Sequence, residues 1–367
     1  MKILHLITEL MPGGAERIVI ELCRGQLAAG HSVAVAALKP LRPDSPVVAE
    51  LRALGVPVSG LELTFFAPWR VRRLCGILRG FDPDVVHAHL FHACLIARLH
   101  ASRPRRWKLV NTAHICERRR GRGWQFLLER LTLGRCDALT AVSEAVRGFA
   151  AHKLGIATDC IHLIRNGIRP PPPVDAAALR ADWGVTDCAR VLGMVGRLDR
   201  QKGFDVVLER LTELGCRIPA GENWALVILG EGAERGALER LAARAPQNVR
   251  VVLPGFRADA ASCIGAFDLF LMPSRYEGFG LTLAEAMAHG VPVLAAAVDS
   301  LPELLAGYPN GTAAEFGPGH GAALAEEIAR LAAVRERTPR LPFTLERMLA
   351  EYEALYRQPS PNPAVTP

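Results

Sequence analysis

Short apolar runs alternate with helically spaced segments along this chain. Lys2-Ile-Leu-His-Leu-Ile7 has strand length and ends at the loop Met11-Pro-Gly-Gly14. Ala15 to Ala28 follows with apolar residues at helical spacing (Ile18, Leu22) and stops at Gly30, and His31 to Leu38 is apolar again. Strand, glycine loop, helix and strand make a βαβ unit. The rhythm continues through strand-like Asp84–His89, Lys108–Thr112, Ala138–Val142 and Ile161–Ile164, with helical Trp124–Thr132 and Glu144–His152 between them. Such alternation predicts a parallel sheet covered on both faces.

Pro170-Pro-Pro-Pro173 interrupts the pattern, because four prolines in series fit neither a helix nor a central strand. Beyond it the rhythm restarts. Arg190–Gly196 leads through the polar loop Arg197–Lys202 into a helix, Phe204 to Leu214. Ala225–Leu229, Val249–Leu253, Leu269–Met272 and Val291–Ala295 add strands, and Thr344–Tyr356 is helical. The predicted organisation is a Rossmann-like domain over 1–169, a second over 170–342, a helix over 343–357 and a tail over 358–367. The fold class is α/β: two doubly wound domains facing across a cleft, with ligands beyond the carboxyl ends of the strands.

Composition agrees with two cores. Half of the 367 residues are apolar and 22% are charged, which excludes a disordered or collagen-like chain. The net charge of +7 favours anionic partners without demanding nucleic acid, and none is predicted. The nine cysteines are odd in number, form no C-x-x-C pair and lie mostly in apolar runs, as expected of reduced, buried thiols. Ile3–Ile7 is too short for a signal-peptide core, and no later apolar run approaches ~18 residues. A soluble cytoplasmic protein is expected.

The richest segment is Met272-Pro-Ser-Arg-Tyr-Glu-Gly-Phe-Gly-Leu-Thr-Leu-Ala-Glu-Ala-Met-Ala-His-Gly290. Gly278-Phe279-Gly280 lets backbone N–H groups approach a ligand, and the helix starting at Leu281 points partial positive charge at the loop. Glu277 and Glu285 flank that loop, and a carboxylate accepts two hydroxyl hydrogen bonds, which suits a sugar or ribose diol. A glycine-capped helix with two solvated glutamates is the bland alternative.

The segment resembles the Glu-x7-Glu region of the retaining GT-B glycosyltransferases of family 4. The resemblance extends over nearly the whole chain. It includes Gly13-Gly14-Ala15-Glu16, Thr140–Ser143, Ile164–Ile168, Val195–Gly203, Leu229–Gly232, Val252–Phe256 and the late helix carrying Tyr352 and Tyr356. It implies a nucleoside-diphosphate-sugar donor, a UDP-sugar first among them, held mainly by the second domain, and an acceptor held mainly by the first. Arg197 and Lys202 match the cations that neutralise the donor diphosphate, so no metal site and no cofactor are called for. Glu285 matches the ribose-binding carboxylate, Glu277 the one facing the donor sugar, and Gly278, Phe279 and Gly280 the amides near sugar and phosphate. Gly13 and Gly14 match the first-domain loop closing on the diphosphate, and His114 a histidine in transition-state contact beside the donor sugar. One departure is Ala295–Glu303, which lacks the glycine pair often found before Pro-Glu in the family.

Other motifs read more plainly. Asp82-Pro-Asp84 imitates a DxD metal motif but sits where a turn enters a strand. His87 and His89 share one strand face without a carboxylate at ligand spacing, as cleft-lining or packed histidines. Gly230-x-Gly232-x-x-x-Gly236 misses the dinucleotide spacing, and no G-x-S-x-G occurs. Arg118-Arg-Arg-Gly-Arg122 is either a solvated charge run or a contact to acidic lipid headgroups, worth ~1 kcal/mol per charge. The expected function is a retaining, metal-independent glycosyltransferase of the hexosyltransferase type, acting on a glycolipid or envelope polysaccharide at the inner face of the cytoplasmic membrane. A non-catalytic nucleotide-sugar-binding protein and a GT-B sugar-nucleotide epimerase are the alternatives.

Overall fold

The apolar runs pair in parallel, in two separate sheets. The computed structural model describes residues 1–64, 67–101, 105–116, 123–317 and 321–359. It divides into two units, Met1–Gly167 with Leu345–Pro367, and Ile168–Thr344.

In the first unit the strands are β1 (Lys2–Ile7), β2 (Ser32–Ala37), β3 (Val58–Gly60), β4 (Val85–His89), β5 (Lys108–Ala113), β6 (Ala138–Ala141) and β7 (Ile161–Leu163). Their order is β3-β2-β1-β4-β5-β6-β7, among the described residues. Leu4, Leu6, Ala34, Ala36, Val86 and Ala88 pack on one face with Leu74, Ala93 and Ala97. Ile7, Val33 and Val35 pack on the other with Val19, Cys23 and Val47. Strands buried on both faces read as continuous apolar runs, which is why they were legible in sequence.

The helix Leu345–Arg357 belongs to this unit although some 180 residues separate it from β7. It buries Leu345, Met348, Tyr352, Leu355 and Tyr356, and its Leu349 closes on Gly25 of the helix Gly14–Ala28. Lys108 Nζ donates to the carbonyls of Leu355 (2.5 Å) and Gln358 (2.9 Å), and His31 Nε2 lies 2.8 Å from Glu353 Oε2. The sequence pattern sets this helix apart and divides the domains at 169/170; the structure divides at 167/168 and groups the helix with the first unit. The tail from 360 on lies outside the described residues.

The second unit holds β8 (Arg190–Val195), β9 (Trp224–Leu229), β10 (Val249–Gly255), β11 (Leu269–Met272), β12 (Val293–Ala296) and β13 (Gly311–Ala314), in the order β10-β9-β8-β11-β12-β13. The helix expected over 204–214 is two, Phe204–Leu208 and Leu211–Gly215, because Arg210 at φ −113° leaves the helical region. The break lets Phe204, Val207 and Leu208, then Leu211 and Leu214, face one core with Leu226, Ile228 and Ile328.

Both sheets reverse their strand order beside the first strand, at β1/β4 and at β8/β11. Successive connections leave in opposite directions at such a point, opening space beyond the carboxyl ends. Gly13 and Gly14 follow β1, Arg197–Lys202 follow β8 and Glu277–Gly280 follow β11. All nine cysteines are free thiols, but the expectation of burial fails at Cys160 and Cys216, which are exposed. Among the described residues no helix is long and apolar enough to cross a membrane.

Candidate active site

In the second unit a part-buried ion pair marks the switch point. Lys202 ends the turn Arg200–Lys202, whose cap is Asp199: its carboxylate accepts from Lys202 N (3.3 Å). Gly203 follows at φ +66°, and a Cβ there would lie 2.1 Å from the Pro273 carbonyl oxygen, so only glycine lets the β8 loop lie against the β11 loop. Across that contact Lys202 Nζ donates to Glu277 Oε1 at 2.5 Å. Ser274 Oγ donates to the same oxygen (2.9 Å), and Glu277 N donates to Asp299 Oδ2 (2.9 Å). Gln201 Nε2 donates to the Tyr276 carbonyl (3.1 Å), and Arg275 holds the Arg200 carbonyl and Asp205, tying the two loops together a second time.

The solvated reading of the two glutamates is overturned, since Glu277 is 6% and Glu285 1% exposed. Glu285 stands in the helix Leu281–Ala288, which Gly280 caps at φ +91°. Gly278 and Phe279 are buried too; the Phe279 carbonyl accepts from Ser300 Oγ (2.9 Å) and its ring lies 5.9 Å from Phe343. Arg197 is not joined to Lys202. It is exposed and pairs with Asp199 at 3.0 Å. Lys202 therefore has Glu277, and Arg197 has Asp199, as immediate counter-charge.

The first unit gathers histidines. His5 on β1, His87 and His89 on β4 and His114 after β5 lie side by side because β1–β4–β5 are neighbours, with His5 opposite His87 in register. His5 Nε2 meets Gln26 Oε1 (2.8 Å) and His5 Nδ1 meets His89 Nε2 (3.0 Å); His89 Nδ1 meets His114 Nε2 (3.0 Å). His87 lies between Tyr356 OH (2.7 Å) and Thr112 Oγ1 (2.6 Å). Burial lowers all four rings: His5 and His114 to about 4, His87 and His89 well below the usual imidazole range. All four are thus neutral at pH 7. His5, His87 and His89 bring ligand-type nitrogens within 4.8 Å of one another, yet each of those nitrogens already has a hydrogen-bond partner.

Gly13 and Gly14 start the helix Gly14–Ala28, with Gly13 in extended backbone as its cap. Asp82 closes the helix Arg73–Phe81 at φ +50° and Asp84 Oδ2 accepts from Lys2 N (2.7 Å), a turn entering a strand. Arg118–Arg122 lies outside the described residues. Sequence reasoning missed Ser274 and Asp299, which orient Glu277, and Gln26, which orients His5. Asp299 sits at φ +47° within the loop that lacks the glycine pair, a conformation aspartate tolerates and one that no sequence pattern announces.

Two Rossmann-like sheets with these loops define the GT-B fold. Two family models match the chain: Glycosyltransferase Family 4 over residues 12–170 and Glycosyl transferases group 1 over residues 189–333. The chain belongs to this family of glycosyltransferases. Among its relatives, the lipopolysaccharide core biosynthesis mannosyltransferase LpsB of Rhizobium meliloti (strain 1021) is 32% identical over 216 residues, 56% of this chain and 57% of that protein. The D-inositol 3-phosphate glycosyltransferase of Xylanimonas cellulosilytica is 29% identical over 337 residues, 82% and 79% of the two chains. The chain spans about half the length of the first curated relatives it matches. Among solved structures, Anabaena HepE in complex with UDP-glucose superimposes with a TM-score of 0.79 at 22% identity, covering 97% of this chain and 99% of that one.

Proposed function

We propose that this protein is a retaining glycosyltransferase. It moves a hexosyl group from a nucleoside-diphosphate sugar, a UDP-sugar first among them, to a hydroxyl of a glycolipid or envelope polysaccharide. The observation that carries the reading is the Lys202–Glu277 pair at the β8/β11 switch point.

The leaving group is a nucleoside diphosphate whose negative charge grows as the sugar–oxygen bond breaks. Cations fixed in advance stabilise that charge most in the transition state. Lys202, held by Glu277 and by its turn, needs little reorganisation to meet it, and supplies charge that a metal would otherwise bring. Arg197 adds a second, more mobile cation. Glu277 keeps lone pairs for a sugar hydroxyl, Glu285 meets the ribose diol, and the Gly278–Gly280 amides meet sugar and phosphate. Gly13 and Gly14 are assigned to the diphosphate and His114 to the transferred sugar. With no carboxylate nucleophile invoked, retention follows from attack on the face that the diphosphate leaves. The relatives, a mannosyltransferase and a glycosyltransferase, and the UDP-glucose bound by the Anabaena neighbour support the substrate class.

The reaction is assigned to the inner face of the cytoplasmic membrane, with Arg118–Arg122 toward acidic headgroups; flotation with anionic but not zwitterionic vesicles checks this. For the donor, UDP, GDP and ADP are compared by thermal shift, since a ligand of the native state raises its stability. The decisive assay is donor turnover in Lys202→Ala and Glu277→Ala. Unimpaired transfer by either folded variant overturns the assignment, and product formed with no acceptor redirects it to an epimerase.

A further inference from the structure

The imidazoles of the first unit form one hydrogen-bond wire, and its direction follows from its inner end. We propose that this wire holds His114 as the Nε2–H tautomer, so that its Nδ1 is offered as a lone-pair acceptor and binds a hydroxyl of the sugar rather than a carboxylate or phosphate oxygen. Gln26, His5 and His89 are positioning residues in this role. The ligand class rests on the assignment of His114 to the transferred sugar; the wire itself does not.

The derivation starts from a group that can only accept. Thr140 Oγ1 donates to the Asn111 carbonyl (3.4 Å), which commits its single proton. It therefore accepts from Thr112 Oγ1 at 2.6 Å. Thr112, having donated there, accepts from His87 Nε2–H (2.6 Å), and its second lone pair accepts from Tyr352 OH (3.2 Å). A neutral imidazole carries one proton, so His87 Nδ1 accepts from Tyr356 OH at 2.7 Å. Tyr356 in turn accepts from Gln26 Nε2–H (3.4 Å), which turns Gln26 Oε1 toward His5 Nε2 at 2.8 Å.

From there the protons run outward. His5 Nε2–H donates to Gln26, so His5 Nδ1 accepts from His89 Nε2–H, and His89 Nδ1 accepts from His114 Nε2–H, both at 3.0 Å. What remains is His114 Nδ1, buried and without a hydrogen-bond partner among the described residues. Every other nitrogen in the wire is paired. Neutrality of the rings follows from their burial, since His5, His87 and His89 are fully enclosed. At a nitrogen closed off from water, as His114 Nδ1 is on a ring that is itself part-exposed, a lone pair facing a second lone pair is costly, whereas a hydroxyl satisfies it.

The test is nitrogen NMR of the full chain carrying 15N-histidine, with the His114 signals assigned by their loss in His114→Ala. The expected spectrum has the proton of His114 on Nε2 and a bare Nδ1; a proton on Nδ1 overturns the proposal. Gln26→Leu removes the acceptor that polarises His5, and His114 is expected to divide between tautomers. Gln26→Glu, which can only accept from His5, is expected to restore the single tautomer. A spectrum of Gln26→Leu identical to that of the parent overturns the wire. Should Gln26→Leu not fold, Tyr356→Phe cuts the same path and is read the same way. Finally, saturation with whichever of UDP-glucose and GDP-mannose raises the melting temperature is expected to shift His114 Nδ1 toward the hydrogen-bonded range. An unmoved Nδ1 in that complex overturns the hydroxyl contact and the sugar assignment of His114, while leaving the tautomer result intact.

Discussion

The two units share a strand order around the first strand of each sheet but bury polar groups of opposite character there. The first encloses neutral imidazoles wired to hydroxyls and an amide; the second sets an ammonium against a carboxylate. Neutral groups can be shut away completely when every donor finds an acceptor, as His5, His87 and His89 are at 0% exposure. Charges resist that. Lys202 keeps 18% of its side chain accessible, and Glu277 needs Ser274 and Lys202 on one oxygen. One scaffold thus yields a unit whose buried polar groups are neutral and directional and another whose buried polar groups are charged.

The largest expected effect tests that division directly. Lys202→Met keeps most of the side chain's length and removes its charge; it is expected to lower kcat for transfer about 10²–10³-fold, the range for losing one preorganised transition-state donor. Its far-UV circular dichroism should match that of the parent. In the first unit, His114→Gln retains an acceptor and is expected to cost roughly tenfold, the scale of one weakened neutral hydrogen bond. Equal losses in the two variants would erase the contrast between charge and direction.

Acid sharpens the comparison next. His5 titrates near 4 in the folded protein and at 6.5 when unfolded, so between these values the unfolded chain binds more protons. Stability is therefore complete above 6.5 and falls as the pH is lowered toward 4, with His5 alone contributing on the order of 3 kcal/mol over that window. His87, His89 and His114 act in the same direction. In the second unit the Arg275 and Arg257 guanidiniums hold the Asp205 and Asp259 carboxyls below their usual 3.8, so their contribution is lost only at lower pH. His289, lowered by burial, makes the contrast one of degree. Tryptophan reporters in each unit, Trp107 and Trp224, should show the first unit unfolding at the higher pH. Simultaneous loss, or loss of the second unit first, would contradict the assignment of the acid-sensitive groups.

How much of this was legible in sequence follows from what local pattern can encode. The β8 and β11 strands, their loops and the residues Lys202, Glu277 and Glu285 all stood in continuous motifs, because the chain that builds a switch point also carries its side chains. Strand β3 (three residues) and strand β13 (Gly-Thr-Ala-Ala) were missed, being too short and too small in side chain to show a strand pattern. The helix break at Arg210 has no Gly or Pro to announce it. The imidazole wire was invisible for a different reason: His5 and His89 are 84 positions apart and Gln26 and Tyr356 are 330 apart, and no periodicity relates them. His87 and His89 were noticed as a pair, but their partners arrive from other strands and from a helix that the chain adds after the second unit is complete. The same distance effect hid the membership of that helix in the first unit.

The smallest effect concerns the second cation. Arg197 is 58% exposed and already in direct contact with Asp199 at the surface, and such pairs contribute about 0–1 kcal/mol. Its attraction for a diphosphate is screened in the same way, over roughly 8 Å at physiological ionic strength. Arg197→Ala is therefore expected to raise the donor KM about threefold to tenfold in low salt, with little change in kcat. The difference from the parent should shrink as potassium chloride is raised from 20 to about 500 mM, where the screening length becomes shorter than the reach of the side chain. Lys202, sheltered in its pair with Glu277, should show no comparable salt dependence. If Arg197→Ala instead lowers kcat as far as Lys202→Met does, at every ionic strength, then the exposed arginine closes onto the leaving group in the reaction and the second unit acts through two fixed cations rather than one.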